Sequence, residues 1–445
     1  MPQLQADLAR LVGIPSVSVL GFPPETRPAL LEARDAVSEL LREAGVETLE
    51  LLELPDTAPV IVGEIPAPDG APTVLLYGHY DVVPVGDEEK WESPPFEATE
   101  RDGAIFGRGA ADSKSNILMH VGALRAWDGR PPVGIKVVVE GQEETGSAFT
   151  TYPPTRPDLF AADAMVIGDM GSIRPGLPTL TVGLRGMAEV IVRVRTLAGP
   201  KHSGQFGGAA PDALIVLLHA LAALHDEHGD VVVPGLRRDE WTGASYSDEE
   251  FRELAEIVPG VPFVGTGGLG ERLWSGPAIT VTGMDVLPVD ASVNAVVPSA
   301  RAKLSLRIHP AQDPAEAQAA LMRHLESMRP FGIAVEVEAA ATGKGFFADT
   351  SGPAYDAARV ALANAWGAES VFVATGGSIP LVSALSEAAP DAEILLLGTT
   401  DGFANIHAPN ERVLLDEFEK AVLAEAGFFG LYADAFAGRS TASPS

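Results

Sequence analysis

Apolar residues recur along this chain with two different periods, and the change from one to the other divides it. Leu4, Leu8, Leu11 and Val12 fall on one face of a 3.6-residue repeat, which predicts a helix at the start. The stretch ETRPALLEARDAVSELLREAG (25–45) keeps that period and ends at Gly45, a residue suited to closing a helix. Four short runs then lack alternation: PVIVGEI (59–65), PTVLLYG (72–78), GIKVVVE (134–140) and DAMVIGD (163–169). Strands without polar positions are covered on both faces, as in a parallel sheet. With a helical stretch near 114–128 among them, they predict an α/β layer, a mostly parallel sheet flanked by helices.

The pattern changes after residue 183. GMAEVIVRVRTL (186–197) and SARAKLSLRIHP (299–310) alternate apolar and polar positions, as strands with one wet face do. Helices at about 210–226 and 313–329 and a strand at IAVEVEAA (333–340) complete a small α+β domain. Residues 227–282 are polar, rich in Gly and Pro and without a period, so they read as a loop-rich insertion. From about 345 the α/β character returns: a helix at 353–366, the strand AEILLLG (392–398) and a last helix from about 414. The expected organisation is therefore a first part of the catalytic domain at 1–183, an inserted α+β domain at 184–342, a second catalytic part at 343–438, and a disordered tail at 439–445.

Composition narrows the function. Of 445 residues 46% are hydrophobic, ordinary for a soluble globular protein. No apolar run reaches the roughly 18 residues of a membrane span. The N-terminal stretch lacks the basic and long apolar regions of a secretory signal, so the expected location is cytoplasmic. With 61 acidic against 31 basic residues the formal charge is −30. Phosphate binding needs a basic face, which argues against a nucleic-acid partner and against an anionic membrane surface. There is no cysteine, which removes disulfides, thiolate metal sites and a thiol nucleophile. A transition-metal site here must use His, Asp and Glu.

Such residues stand where the predicted strands end. YGHYDVVP (77–84) puts His79 and Asp81 just past a strand, and in a His-x-Asp pair the carboxylate can hold the ring of a ligating imidazole. GRGAADSKSN (107–116) places Asp112 in a glycine-rich loop before a helix. VVVEGQEETGS (137–147) breaks from an apolar run into the adjacent carboxylates Glu143 and Glu144. Asp169 ends another strand, and GTTDGFANIHAPNE (398–411) puts His407 after the last one. Ligands of open α/β sheets gather beyond the carboxyl ends of the strands, so these loops are expected to converge. Two histidines and three or four carboxylates suit a pair of divalent ions, zinc first, which lower the pKa of a bound water and polarise a carbonyl. The adjacent glutamates then divide the work, one coordinating and the other moving protons.

The succession His-x-Asp, Gly-Arg-Gly-x-x-Asp, Glu-Glu, Asp, Gly-Gly-Ser-Ile-Pro, His resembles the aminoacylase, carboxypeptidase and dipeptidase family of di-zinc metallopeptidases. GHYDVVP with the following Trp and PPF, then GRGAAD, is the most specific part. The inserted domain with NAVVPSARAKLSLR is similar to the branch of carnosinases and bacterial dipeptidases. The likeness spans nearly the whole chain and is weakest across 227–282. It implies two Zn2+ per subunit, with Mn2+ or Co2+ able to substitute. His79 and Asp169 would hold one ion, Glu144 and His407 the other, and Asp112 would bridge them. Glu143 would be the general base and acid, and Asp81 would orient His79. In that family an Asp at 169 goes with aminopeptidases and dipeptidases. The inserted domain would form a homodimer and close as a lid, with His202 of GPKHSG reaching the other subunit's active site to hold an oxyanion. Arg307 would bind the substrate carboxylate, Asn294 and Ser378 would contact substrate, and Gly377 would let the backbone come close.

The chain departs from this pattern at Ala374-Thr375, where relatives often carry Arg-Glu before GGSIP. A milder departure is AADSKSN, where many have Asp-Met-Lys-Gly. Taken singly, each residue also has a bland reading. A loop histidine, a solvated glutamate pair, a strand-end aspartate or a surface arginine is commonplace, and Asn294 and Ser378 equally suit turns. His120 reads as a packing residue. Jointly the residues favour a di-zinc hydrolase of a peptide bond in small substrates, a dipeptidase. The alternatives are an amidohydrolase of N-acyl or otherwise modified amino acids, motivated by Ala374-Thr375, and a non-catalytic binding protein on the same fold.

Overall fold

The computed structural model describes residues 1–377 and 379–442, so Ser378 and 443–445 lie outside the described residues. In chain order its strands are β1 (Thr48–Leu52), β2 (Val60–Ile65), β3 (Thr73–His79), β4 (Thr99–Arg101), β5 (Ala104–Phe106), β6 (Gly134–Glu140), β7 (Ala164–Gly168), β8 (Gly171–Ser172), β9 (Thr179–Leu184), β10 (Gly186–Arg195), β11 (Lys201–His202), β12 (Ala278–Met284), β13 (Ala295–Val296), β14 (Ser299–Ile308), β15 (Glu336–Gly343), β16 (Phe346–Phe347), β17 (Val371–Thr375), β18 (Glu393–Leu397), β19 (Thr400–Asp401) and β20 (Arg412–Leu414). The chain divides into two compact units. One comprises Met1–Val182, Ala348–Val373 and the chain from Pro380 onward; the other comprises Gly183–Phe347 with Ala374–Ile379.

In the first unit the runs that are apolar end to end form a parallel core in the order β6-β3-β7-β18. Val74, Leu75, Leu76 and Tyr77 of β3, and Val137 and Val138 of β6, have no exposed surface. Each large aliphatic side chain so buried contributes about 1.5–3 kcal/mol. The margins are antiparallel: β2 pairs with β6, β1 with β2, and β9 with β18. The apolar pattern alone does not separate these from the core, because β2 is nearly as buried as its parallel neighbours. The helix Ser115–Ala126 is buried from Ser115 through Leu124 and packs against the helices Pro2–Val12 and Leu415–Ala442. His120 within it is a paired core residue, Nδ1 2.7 Å from Glu425 Oε1 and Nε2 3.0 Å from the Tyr77 carbonyl. The last helix runs to Ala442, so 439–442 are helical rather than the start of a disordered tail.

The second unit is built on the antiparallel sheet β12-β14-β10-β15. Alternation places Val190, Val192, Leu304 and Leu306 inward, against Leu217 and Leu321 of two helices, Ala213–Ala222 and Pro314–Ser327. Segment 227–282 is less loop-like than its composition predicts. It holds the helix Asp248–Leu254 and a Trp241–Trp274–Tyr246 aromatic cluster, and its last residues enter the edge strand β12. Aromatic packing here replaces the periodic apolar stripe that a sequence reading looks for. Among the described residues no helix is long and apolar enough to cross a membrane.

Candidate metal centre

Neighbouring parallel strands deliver the site. His79 is the last residue of β3, Glu143 and Glu144 follow β6, Asp169 follows β7, and His407 lies between β19 and β20, beyond the end of β18. These strands are parallel and adjacent, so their carboxyl ends meet at one edge. Asp112 arrives from the turn before the helix Ser115–Ala126. That turn starts at Gly109 with φ +81°, where a Cβ would come within 2.5 Å of Val82, so a side chain does not fit there.

Asp112 stands between the two histidines. Its Oδ1 is 3.0 Å from His79 Nε2 and its Oδ2 is 3.1 Å from His407 Nε2. Asp169 Oδ1 lies 3.4 Å from His79 Nε2, and Glu144 Oε2 lies 3.0 Å from His407 Nε2. Two trios, His79–Asp112–Glu144 and His79–Glu143–Asp169, each have ligand atoms within 4.8 Å of one another. Behind them sits Asp81, fully buried, with Oδ1 3.3 Å from His79 Nδ1. Its oxygens also accept the backbone N–H of Glu143 at 3.1 Å and of Glu144 at 3.2 Å. One carboxylate thus fixes both the imidazole and the glutamate turn, a wider role than orienting His79 alone.

The charges are out of balance. Among the described residues the ion-pair partners of Asp112, Glu144 and Asp169 are the two histidines. Burial, then Asp169, pushes the Glu143 carboxyl up to about 9, and burial lifts Asp169 to about 6. Burial would also raise Asp112, but hydrogen bonds from His407 and His79 outweigh it and hold its carboxyl well below the ordinary range. Burial alone would lower His79; hydrogen bonds to Asp112, Asp169 and Asp81 instead hold it well above its usual value. Glu144 Oε1 is buried without a hydrogen-bond partner. Clustered buried carboxylates with an orphaned oxygen call for added positive charge, and a nitrogen–oxygen donor set without sulfur fits divalent cations. His79 with Asp169, His407 with Glu144, and Asp112 between them are the residues that would hold such ions.

A pH dependence follows. Hydrogen bonds to Asp112 and Glu144 raise the metal-free His407 imidazole to about 10, whereas a ligating imidazole is neutral. Metal uptake near neutral pH therefore releases protons, and apparent affinity rises as pH climbs toward that value. Calorimetric metal titrations in buffers of different ionisation enthalpy read the release directly; none at neutral pH would contradict the ligand role of His407.

Known proteins are similar to this chain over most of its length. The profile of Peptidase family M20/M25/M40 matches residues 75–429, a span that contains every candidate ligand. The chain belongs to this family. A cysteinylglycine-S-conjugate dipeptidase from Corynebacterium striatum is 40% identical over 417 residues, which covers 92% of this chain and 91% of that one. A Beta-Ala-His dipeptidase of Rattus norvegicus is 29% identical over 436 residues, covering 91% and 88%. The crystal structure of human carnosine dipeptidase 1 superposes with a TM-score of 0.75 at 25% identity, covering 97% of this chain and 96% of that one. This M20 peptidase is a metal-dependent hydrolase of the dipeptidase branch.

The remaining expected site residues of the M20 peptidase belong to the second unit. β11 pairs with β13, which sets His202 opposite Ala295, and the Ser203 N–H donates to the Asn294 carbonyl at 3.0 Å. His202 and Asn294 are thereby brought together, both exposed, on one short ribbon. His202 Nδ1 accepts the Gly204 N–H at 3.1 Å. Arg307 lies apart from that ribbon, on β14 opposite Met187 and Ala278, and its Nη1 is buried without a partner. Beside it Arg185 donates to the carbonyls of Leu273, Gly276 and Arg307; burial, then Arg307, lowers its guanidinium to about 10. Gly377 sits exposed, its N–H 3.5 Å from Thr375 Oγ1. Among the buried acids of the first unit that escaped the sequence reading are Glu140 and Glu411. Glu140 accepts the Tyr77 hydroxyl at 2.7 Å and is pushed by burial to about 7. Glu411 pairs with Arg108 at 2.6 Å. The signal for Glu411 was the arginine of GRGAAD, since an arginine held in a tight buried loop requires an acid.

Proposed function

We propose that this M20 peptidase is a di-zinc dipeptidase acting on short peptides with a free carboxylate, with cysteinylglycine and its S-conjugates as the substrate class of first choice. The observation that carries the reading is Asp112, whose two oxygens face two different histidines. His79 and Asp169 would hold one ion, and His407 and Glu144 the other. Bound ions would supply Lewis acidity and a lowered water pKa. Glu143, whose backbone Asp81 fixes, takes a proton from the attacking water and delivers it to the leaving amine. The Arg307 guanidinium, whose Nη1 is buried without a partner, receives the substrate carboxylate through its planar fork. Asn294 and Gly377 contact the substrate.

His202 acts from the partner subunit of a cytoplasmic homodimer formed through the second unit. The edge strand β12 and the exposed Val281, Val286, Leu287 and Val293 support that assembly, because an open apolar strand edge invites pairing. A second reading, hydrolysis of N-acyl or otherwise modified amino acids, draws on Ala374-Thr375, which bring no charge where relatives often have Arg-Glu. A panel of dipeptides (Cys-Gly, its S-conjugates and β-Ala-His) and N-acyl amino acids, assayed with Zn2+, Mn2+ and Co2+, separates the two. Turnover of free dipeptides is expected. Activity confined to N-acyl substrates would replace the dipeptidase reading.

A further inference from the structure

We infer that Glu411 is a positioning residue of the metal centre, a buried carboxylate that clamps the turn carrying Asp112 to the loop carrying His407. The inference rests on reading Asp112 and His407 as metal ligands. Glu411 has no exposed surface. Its Oε2 accepts Arg108 Nη1 at 2.6 Å and the Gly109 N–H at 3.0 Å. Its Oε1 accepts the N–H groups of Ala111 at 2.9 Å and of Asp112 itself at 3.0 Å. Four donors thus converge on two oxygens, and one of them belongs to the backbone of the residue whose side chain spans both histidines. Only a carboxylate accepts on both sides; an amide turns two N–H groups against two other donors.

The clamp reaches further on both sides. The Glu411 carbonyl accepts the Gly107 N–H at 3.0 Å. The neighbouring Asn410 accepts the Glu92 N–H at 2.8 Å and donates to the Lys90 carbonyl at 3.0 Å. Arg108 lies over the Trp91 ring, 5.3 Å from its centroid, and donates to the Pro84 carbonyl at 3.4 Å. GHYDVVP, the following Trp and GRGAAD therefore close with the sequence-distant HAPNE into one piece around Glu411, held by hydrogen bonds and the Arg108–Trp91 contact. His407 lies four positions before Glu411, with its backbone in the left-handed region at φ 62°, so its placement depends on what anchors that loop. Groups that orient ligands in this way typically change metal affinity about 10–100-fold when replaced.

The test is Co2+ titration of metal-stripped wild type and Glu411→Gln, followed by visible absorption, with kcat and KM measured at saturating Co2+. E411Q is expected to bind Co2+ about 10–100-fold more weakly, to shift the ligand-field spectrum, and to lose kcat with KM within about twofold. Wild-type affinity and spectrum in folded E411Q would overturn the inference. Should E411Q fail to fold, Arg108→Gln replaces it, because that change keeps the three backbone donors and removes the ionic anchor together with its Pro84 and Trp91 contacts. It is expected to weaken Co2+ binding and alter the spectrum, and an unchanged titration would overturn the inference. Wild type that binds no Co2+ is a different result, since it overturns the metal reading beneath.

Discussion

Glu143→Gln is expected to leave metal content unchanged while kcat falls about 10²–10⁴-fold, the usual worth of a positioned general acid–base group. The ion-pair geometry gives the reason. His407 meets Asp112 and Glu144, and His79 meets Asp112 and Asp169, while Glu143 pairs with neither imidazole. The substituted glutamine keeps the backbone N–H that Asp81 accepts, so the turn is retained and only the proton-carrying oxygen is lost. Glu144→Gln should do the opposite and weaken metal binding itself, because its Oε2 is one of the two carboxylate contacts of His407. Metal analysis and kcat of the two variants decide the division of labour; equal loss of metal in both would end it.

Asp112→Asn should be the most damaging single change. Asparagine offers one oxygen where the centre uses two, and its amide nitrogen must face one of the histidines. Metal content is expected to fall for both ions, and kcat/KM to fall by about 10³ or more without recovery in excess metal. The metal-free variant should also melt lower than metal-free wild type at neutral pH. Asp112 is held below its ordinary pKa, so its ionised form stabilises the fold above that ordinary value, and the contribution fades as pH falls through the depressed one. Retention of one tightly bound ion in D112N would show that the aspartate serves a single site.

The sequence exposed the candidate centre because its candidate ligands sit at ends of strands that are apolar throughout. β3, β6 and β7 announce themselves by composition, and parallel pairing then carries His79, Glu143, Glu144 and Asp169 to one edge. Asp112 and His407 were legible from glycine-rich and His-containing loops beside such strands. β1, largely exposed, and β9, half of whose residues are Thr or Gly, gave no such signal, and both pair antiparallel at the margins. Glu140 and Glu411 stayed hidden for a different reason. A single acid in a chain with 61 acidic residues carries no mark of burial, and only its donors, contributed by residues distant in sequence, reveal it. The aromatic cluster of segment 227–282 is equally silent, since three rings can share a core without any period.

The chain crossings after Val182 and before Ala348 have a consequence for how this enzyme can be rebuilt. Ala348 donates its N–H to the Val182 carbonyl at 2.9 Å, so the chain leaves and re-enters the first unit at hydrogen-bonded neighbours. The interposed segment is thus a domain spliced into a loop whose ends already touch, and closing that loop without it costs little entropy. His79, Asp81, Asp112, Glu143, Glu144, Asp169, His407 and Glu411 all lie outside the splice. Joined from residue 182 to 348, the gene would still encode every candidate metal-centre residue while omitting His202, Asn294 and Arg307. Such a minimal chain would part the candidate cation ligands from the residues proposed to choose the substrate, so that each could be inherited without the other.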